Sequence, residues 1–150
     1  MFGLIASDGY VPIGRSTVVD DSAAALWLPA GTTLGDDVWD PLIDKLGVAL
    51  DGEFERLATL AGMFEAVHPS DIDHWYLLAI GVRQSRQGAG LGGTLLEHTL
   101  RLADERSQPA YLEASSPRSR DLYERYGFEV TMTLTLPDGP DIWPMWRDAR

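Results

Sequence analysis

Four glycines fall within six residues at Gly88-Ala89-Gly90-Leu91-Gly92-Gly93, and two arginines, Arg83 and Arg86, stand just ahead of them. Glycine lets backbone N–H groups approach a ligand without a side chain in the way. An apolar stretch, Trp75 to Val82, runs into this loop, and a helical pattern, Leu91 to Arg106, runs out of it. A helix that opens at such a place presents unpaired N–H groups and a partial positive charge. Loop and helix start together form a site for phosphate or pyrophosphate. A plain strand-to-helix turn would need neither the glycine density nor the arginines.

Three phosphate-binding patterns compete for the loop. The NTPase P-loop requires Lys and then Ser or Thr after its last glycine, whereas Gly93 is followed directly by Thr94. The dinucleotide fingerprint G-x-G-x-x-G fits residues 88–93, and Glu113 stands about where its ribose-binding acid belongs. Against it, Arg83 to Gln87 separate the strand from the first glycine, and the chain after Glu113 is too short for further βα units. The third pattern fits best: Val82, then Gln87-Gly88-Ala89-Gly90-Leu91-Gly92, resembles the Q/R-x-x-G-x-G/A signature of the GNAT acetyltransferase superfamily. Leu112-Glu113-Ala114-Ser115-Ser116-Pro117-Arg118 and Leu122-Tyr123-Glu124-Arg125-Tyr126-Gly127-Phe128 resemble its second block. The likeness is greatest to the branch that includes puromycin N-acetyltransferase. It covers His74 to about Arg147 and, weakly, Ala25 to Pro29.

The resemblance implies an α/β fold with a mixed, mostly antiparallel sheet flanked by helices. Its two central strands, Trp75 to Val82 and Pro109 to Ser115, splay apart to admit acetyl-CoA as cosubstrate. It implies that Ile80, Val82, Gln87, Gly88, Ala89, Gly90, Gly92, Gly93, Thr94 and Ser119 hold that cosubstrate. The loop would bind its pyrophosphate, and the Val82 backbone would pair with its pantetheine arm and polarise the acetyl carbonyl. Ser119 departs from the family pattern, in which Asn is frequent there; it is shorter and lacks the amide. Tyr123 is implied as the acid for the departing thiolate, with packing on an amphipathic helix as the alternative. Tyr126 matches a position without a required role.

Acetyl transfer to an amine also needs a base. Glu113 lies inside an apolar strand, where a carboxylate is costly unless paired or used. A base or amine-contacting role and a salt bridge to Arg118 or Arg120 stand open together. His74 and Tyr76 could act as base through a water, although a lone histidine at a strand start is usually a surface group. His68 and His98 receive no role, and three scattered histidines make no metal site.

The elements that must position these residues follow from pattern. Met1 to Ser7, Tyr10 to Val19 and Ala23 to Leu28 read as strands, the last two as an antiparallel pair. Helices are expected over Asp37 to Leu50 and Gly52 to Val67, the second with Phe54, Leu57, Leu60, Ala61 and Phe64 on one face. Trp75 to Val82 is apolar on both alternating faces, the mark of a strand covered on both sides. A short helix, Arg118 to Tyr126, stops at Gly127. Phe128 to Leu136 and Asp141 to Arg147 form a hairpin whose second strand Pro144 makes irregular or places at an edge.

The 150 residues suit one domain, and 45% hydrophobic with 23% charged content suits a globular core. A net charge of −11 disfavours nucleic acid and anionic membranes as partners and is compatible with a cationic amine. The absence of cysteine excludes disulfides and thiolate chemistry and fits a cytoplasmic protein. The function expected is therefore an N-acetyltransferase that moves acetyl from acetyl-CoA to a primary amine of a small molecule by direct attack in a ternary complex. A CoA-binding protein without transfer activity is the alternative, and a dinucleotide-binding fragment the third reading. Family members open with a strand and two helices ahead of the strands equivalent to Met1 to Leu28, so residues 1–150 read as a single, N-terminally short domain. Phe2, Leu4, Ile5, Trp27 and Leu28 would then lie uncovered, and a homodimer is expected.

Overall fold

The computed structural model describes residues 15–32, 54–137 and 139–150. Their elements are β1 (Arg15–Val19), β2 (Ala23–Leu28), α1 (Phe54–Val67), β3 (Trp75–Val82), α2 (Leu91–Glu105), β4 (Ala110–Ala114), α3 (Pro117–Arg125), β5 (Glu129–Val130), β6 (Leu134–Thr135) and β7 (Asp141–Arg147). The strands Met1 to Ser7 and the start of Tyr10 to Val19, and the helix Asp37 to Leu50, lie outside the described residues.

The sheet runs β1-β2-β3-β4-β7-β5, with β6 also pairing β7. Only β3 and β4 are parallel; every other pair is antiparallel. This is the mixed, mostly antiparallel α/β arrangement expected. It also removes the dinucleotide reading, which needs a parallel sheet.

Strand alternation sorts β4 into two faces. Ala110, Leu112 and Ala114 join Trp27, Trp75, Leu77, Leu95, Leu96, Leu100, Tyr123, Phe128 and Met145 in one core beneath α2 and α3. Leu95, Leu96, Thr99, Leu100 and Ala103 form the buried stripe of α2 at helical spacing. Tyr111 and Glu113 point to the opposite side. On α1, Leu60 and Phe64 are half-buried as expected, together with Met63 and Val67, while Ala61 is exposed.

Three expectations are corrected. Strand β3 is covered only at its start: Trp75 and Leu77 are buried, but Leu78 to Val82 are half-buried. Strand β7 is internal, lying between β4 and β5. Pro144 is tolerated there because its carbonyl accepts from the Thr131 N–H at 2.9 Å, on the side where the β5 ladder has already ended at Val130. The N–H that proline lacks falls on that same side, so the β4 ladder loses nothing. Trp27 and Leu28 are 0% and 7% exposed, because β2 is zipped between β1 and β3; neither offers an uncovered face.

At the base of the sheet Arg147 is 4% exposed and bidentate to Asp104 of α2, with Nη1–Oδ1 at 2.7 Å and Nη2–Oδ2 at 2.8 Å. Its Nε donates to the Tyr126 carbonyl at 2.9 Å. The guanidinium hydrogen bonds hold the Asp104 carboxyl below the usual carboxylate range. Removing the acid strands a buried charge, which is far more costly than the pair is stabilising. Asp104→Ala should lower the unfolding free energy by about 3 kcal/mol, read from urea titration. A loss under about 1 kcal/mol would show that water compensates the arginine.

Candidate functional site

The parallel ladder between β3 and β4 has three pairs, Trp75↔Ala110, Tyr76↔Tyr111 and Leu77↔Leu112. The next residue of β3 explains why it stops. Leu26 of β2 faces Ala79, yet Trp27 faces Leu77, which leaves Leu78 as one extra residue on β3. Such a bulge bends and twists its strand. Beyond it β3 follows β2 as far as Ala23↔Val82, while β4 turns to β7, and a gap opens between them. The Arg83 N–H donates to the Ser22 carbonyl of the β1–β2 turn at 2.8 Å. By the alternation of an antiparallel ladder, the backbone groups of Val82 and Ile80 then face the gap. The Val82 carbonyl accepts from Gln87 Nε2 at 3.4 Å, which ties the loop to the strand end.

The loop follows a single 3₁₀ turn, Gln84–Arg86. Gly88 and Gly90 take φ of 84° and 81°, the left-handed region, and a Cβ on either would stand in open space. Backbone conformation and ligand access, not crowding, require glycine there. Gly90 is the N-cap of α2 and has no side chain to cap it. From Gly88 to Gly93, no N–H meets an acceptor among the described residues. Six consecutive donors at a helix N-terminus make a cradle for a pyrophosphate. Thr94 comes next, its N–H closing the first helical bond to the Gly90 carbonyl at 3.1 Å. Arg83 is tied back to Asp21, with Nη2–Oδ2 at 3.3 Å, and so belongs to the turn rather than the cradle. Arg86 is exposed.

Gly92 and Gly93 serve packing. A Cβ on Gly92 would come within 3.3 Å of Leu122 Cδ2, and one on Gly93 would collide with the Tyr126 hydroxyl. Leu122 lies on α3 and Tyr126 is its C-cap; the helix starts with a capping box: Ser116 Oγ accepts the Ser119 N–H at 3.1 Å and Ser119 Oγ accepts the Ser116 N–H at 3.1 Å. The hydroxyl and N–H of Ser119 are thus engaged in the cap, and a cofactor contact would compete with it. The helix ends in a Schellman motif: Phe128 N–H donates to the Tyr123 carbonyl and Gly127 N–H to the Glu124 carbonyl, with Gly127 at φ 88°. The Tyr123 and Phe128 rings meet edge to face at 6.1 Å, the apolar contact that accompanies the motif. Tyr123 is 5% exposed, and burial pushes its hydroxyl up to about 12. Tyr126 bonds Glu97 of α2 at 3.3 Å and takes no part in the gap.

Glu113 lies on the other face of β4 from Tyr123. Tyr76 donates to its Oε2 at 2.9 Å, while Oε1 is buried without a hydrogen-bond partner among the described residues. The Tyr111 hydroxyl is close enough to act on the carboxylate but is outside hydrogen-bond geometry. Burial pushes the Glu113 carboxyl up to about 7, against the opposing pull of the two tyrosine hydroxyls. The expected salt bridge to Arg118 or Arg120 is not made: Arg120 pairs with Asp121 and Glu124 and lies 5.0 Å over the Trp143 ring.

Two residues on this face went unassigned or misplaced in the sequence. His74 is buried, not a surface group. Its Nδ1 lies 2.7 Å from the Ile72 carbonyl and its Nε2 3.2 Å from Nε2 of His68. His68 in turn meets the Tyr76 and Tyr111 rings edge to face at 4.7 and 5.0 Å. Tyr111 was readable, since it stands two residues before Glu113 on one strand; His68 was not, because it lies in the irregular connection between α1 and β3, where no period says which way a side chain turns.

The Glu113 carboxyl links folding to pH. Its folded value of about 7 exceeds the ordinary 4.5, so the native state holds a proton that the unfolded chain releases. That stabilisation is complete below pH 4.5 and is lost as pH rises through 7, by up to about 3 kcal/mol at 1.36 kcal/mol per unit. Urea unfolding of Glu113→Gln should lack this decline between pH 4.5 and 8; parallel curves for the two proteins would contradict a dry carboxylate.

The geometry can be set beside known proteins. Residues 25–128 match the model of the acetyltransferase (GNAT) family. An uncharacterized N-acetyltransferase of Schizosaccharomyces pombe is 30% identical over 141 residues, covering 85% of this chain and 56% of that protein. The chain thus spans little more than half the length of this curated relative. The crystal structure of histone acetyltransferase HPA2 and related acetyltransferase from Corynebacterium glutamicum superposes with a TM-score of 0.67 at 25% identity, over 99% of this chain and 72% of that one. An agmatine N-acetyltransferase, 15% identical, shares the fold with a TM-score of 0.54 over 85% of this chain and 69% of its own. The matched span runs from β2 through the gap, the glycine loop and α3 to Phe128, and the chain belongs to the GNAT family of acetyltransferases.

Proposed function

We propose that the protein is an N-acetyltransferase that transfers acetyl from acetyl-CoA to a primary amine of a small molecule, by direct attack in a ternary complex. The observation that carries the reading is the end of the β3–β4 ladder after three pairs, beside six N–H groups at Gly88 to Gly93 that meet no acceptor among the described residues. Acetyl-CoA supplies the thioester. The loop N–H groups of Gly88 to Gly93 bind its pyrophosphate, and the backbone of Ile80 and Val82 that faces the gap replaces the missing strand with hydrogen bonds to the pantetheine arm. The Val82 N–H is then a fixed donor for the acetyl oxygen as charge develops on it.

Glu113 and Tyr123 occupy opposite faces of β4, so base and acid reach the gap from two sides. Glu113 receives a proton from the incoming ammonium, which leaves the amine free to attack. The tetrahedral centre collapses with loss of the CoA thiolate. A hydroxyl near 12 is a weak acid for a thiol of ordinary pKa about 8.5, so Tyr123 stabilises the thiolate by a hydrogen bond rather than by full proton transfer.

The finer parts of the reading have narrower support. The puromycin N-acetyltransferase-like branch rests on the two blocks at Leu112 to Arg118 and Leu122 to Phe128. A small amine as acceptor rests on the net charge of −11, and a cytoplasmic location on the lack of cysteine. No helix among the described residues is long and apolar enough to cross a membrane. A homodimer rests on the free outer edge of β1 among the described strands, where Val18 is 62% exposed; size exclusion with light scattering tests it.

Calorimetry with acetyl-CoA, CoA and NAD tests the ligand, and thiol release over an amine panel tests transfer. Gly90→Asp should weaken acetyl-CoA binding at least about tenfold, since a carboxylate and a Cβ enter the cradle at a left-handed position. Unchanged affinity in a folded variant would end the phosphate assignment. Tight CoA binding with no thiol release on any amine would favour the binding protein without transfer activity. In the enzyme, kcat/KM should rise with pH through about 7 and level off above it, as Glu113 loses its proton. That limb should vanish in Glu113→Gln, while Tyr123→Phe should lower kcat about tenfold or more with acetyl-CoA affinity unchanged.

A further inference from the structure

The face of the sheet that carries Glu113 is roofed by a chain of fixed contacts. A carbonyl only accepts, so the 2.7 Å contact to Ile72 puts a hydrogen on His74 Nδ1. In the neutral Nδ1–H tautomer, His74 Nε2 is the acceptor in the 3.2 Å contact, and His68 Nε2–H the donor. This fixes the His68 ring, which abuts both Tyr76 and Tyr111 edge to face. His74 adds a second contact to Tyr111 at 5.6 Å and one to Trp146 of β7 at 5.5 Å. Tyr76 bonds Glu113, and the Tyr111 hydroxyl lies beside the same carboxylate.

We propose that the hydrogen-bonded His68–His74 pair positions the Tyr76 and Tyr111 rings over Glu113, and so sets the aim and the dryness of the carboxylate that receives the substrate proton. Neither histidine touches the reacting atoms; both are positioning residues. The inference rests on Glu113 acting as the base, as proposed above. Among the described residues, the titratable groups around the carboxylate are Tyr76 from β3, Tyr111 from β4, and His74 and His68 from the segments that lead into β3 and out of α1. Pro144, opposite Glu113 on β7, and Trp146 carry no charge. His68 is held neutral across the working range, since burial pushes it down to about 4.

The test reads Glu113 directly. In protein labelled at glutamate carboxyl carbons, the Glu113 signal is titrated by NMR in wild type, His68→Ala, His68→Gln and His74→Asn, without ligand. His68→Ala opens the roof to water, so the Glu113 midpoint should fall by one unit or more from about 7 towards 4.5. His74→Asn retains a donor for Ile72 but removes the acceptor for His68, and should shift the midpoint the same way. His68→Gln keeps a donor for His74 and should restore most of the wild-type value. The acid limb of kcat/KM should move with the NMR midpoint, while KM for acetyl-CoA stays unchanged. A Glu113 midpoint unmoved in both His68→Ala and His74→Asn overturns the inference, whatever the activity. A shifted midpoint in a protein without turnover on any amine overturns the acetyltransferase reading and leaves the positioning in place.

Discussion

The structure depends on one interrupted ladder. Backbone N–H and C=O groups in a sheet interior must find partners, and their absence costs as much as a lost hydrogen bond. Strands β3 and β4 nonetheless part after Leu77↔Leu112, in the middle of the sheet. The parting is maintained from both sides. On one, β3 keeps an unbroken antiparallel partner in β2 past the bulge at Leu78. On the other, β4 is paired with β7 along its whole length, from Ala110↔Arg147 to Ala114↔Trp143. Below, the Arg147–Asp104 clamp ties β7 to α2, so that the closed end stays closed. Polar backbone in such a gap is a recognition surface, because any extended ligand with its own amides can complete the ladder.

Much of this was legible locally. The glycines from Gly88 to Gly93 stand out because a left-handed φ and an uncapped helix start can be met by few residue types. The sequence Leu122 to Phe128 encodes a full helix ending: a buried Tyr123, a left-handed Gly127 and an apolar Phe128 that returns onto it. Ser116 to Ser119 was equally legible as a capping box, yet resemblance drew attention to Ser119 as a cofactor contact. What stayed hidden was register. Nothing near Leu78 announces a bulge, since it arises from how two strands count against each other. The same holds for Pro144, whose place inside the sheet is acceptable only because β5 ends at Val130. The Glu113 face was half legible. Its carboxylate stood out as a charge in an apolar strand, but its roof is assembled from residues 68 to 146, and periodicity carries no information over such separations.

The two faces of β4 divide the chemistry. Odd-numbered positions, Tyr111 and Glu113, build a polar and aromatic layer under α1; even-numbered ones, Leu112 and Ala114, join the apolar core with Tyr123. A single strand thus separates the buried carboxyl of Glu113 from the buried phenol of Tyr123. Their environments are shifted in the same direction for the same reason, desolvation, with Glu113 raised to about 7 and Tyr123 to about 12. Dryness makes the carboxylate a competent acceptor near neutral pH and keeps the phenol protonated.

Gly92 and Gly93 have a mechanical consequence. Where they lie, α2 and α3 approach so closely that Leu122 and the Tyr126 hydroxyl occupy the space a methyl group would fill. Tyr126 also grips Glu97 one turn further along α2. A side chain added at Gly93 would therefore be felt beyond the loop, at the end of the helix that carries Tyr123.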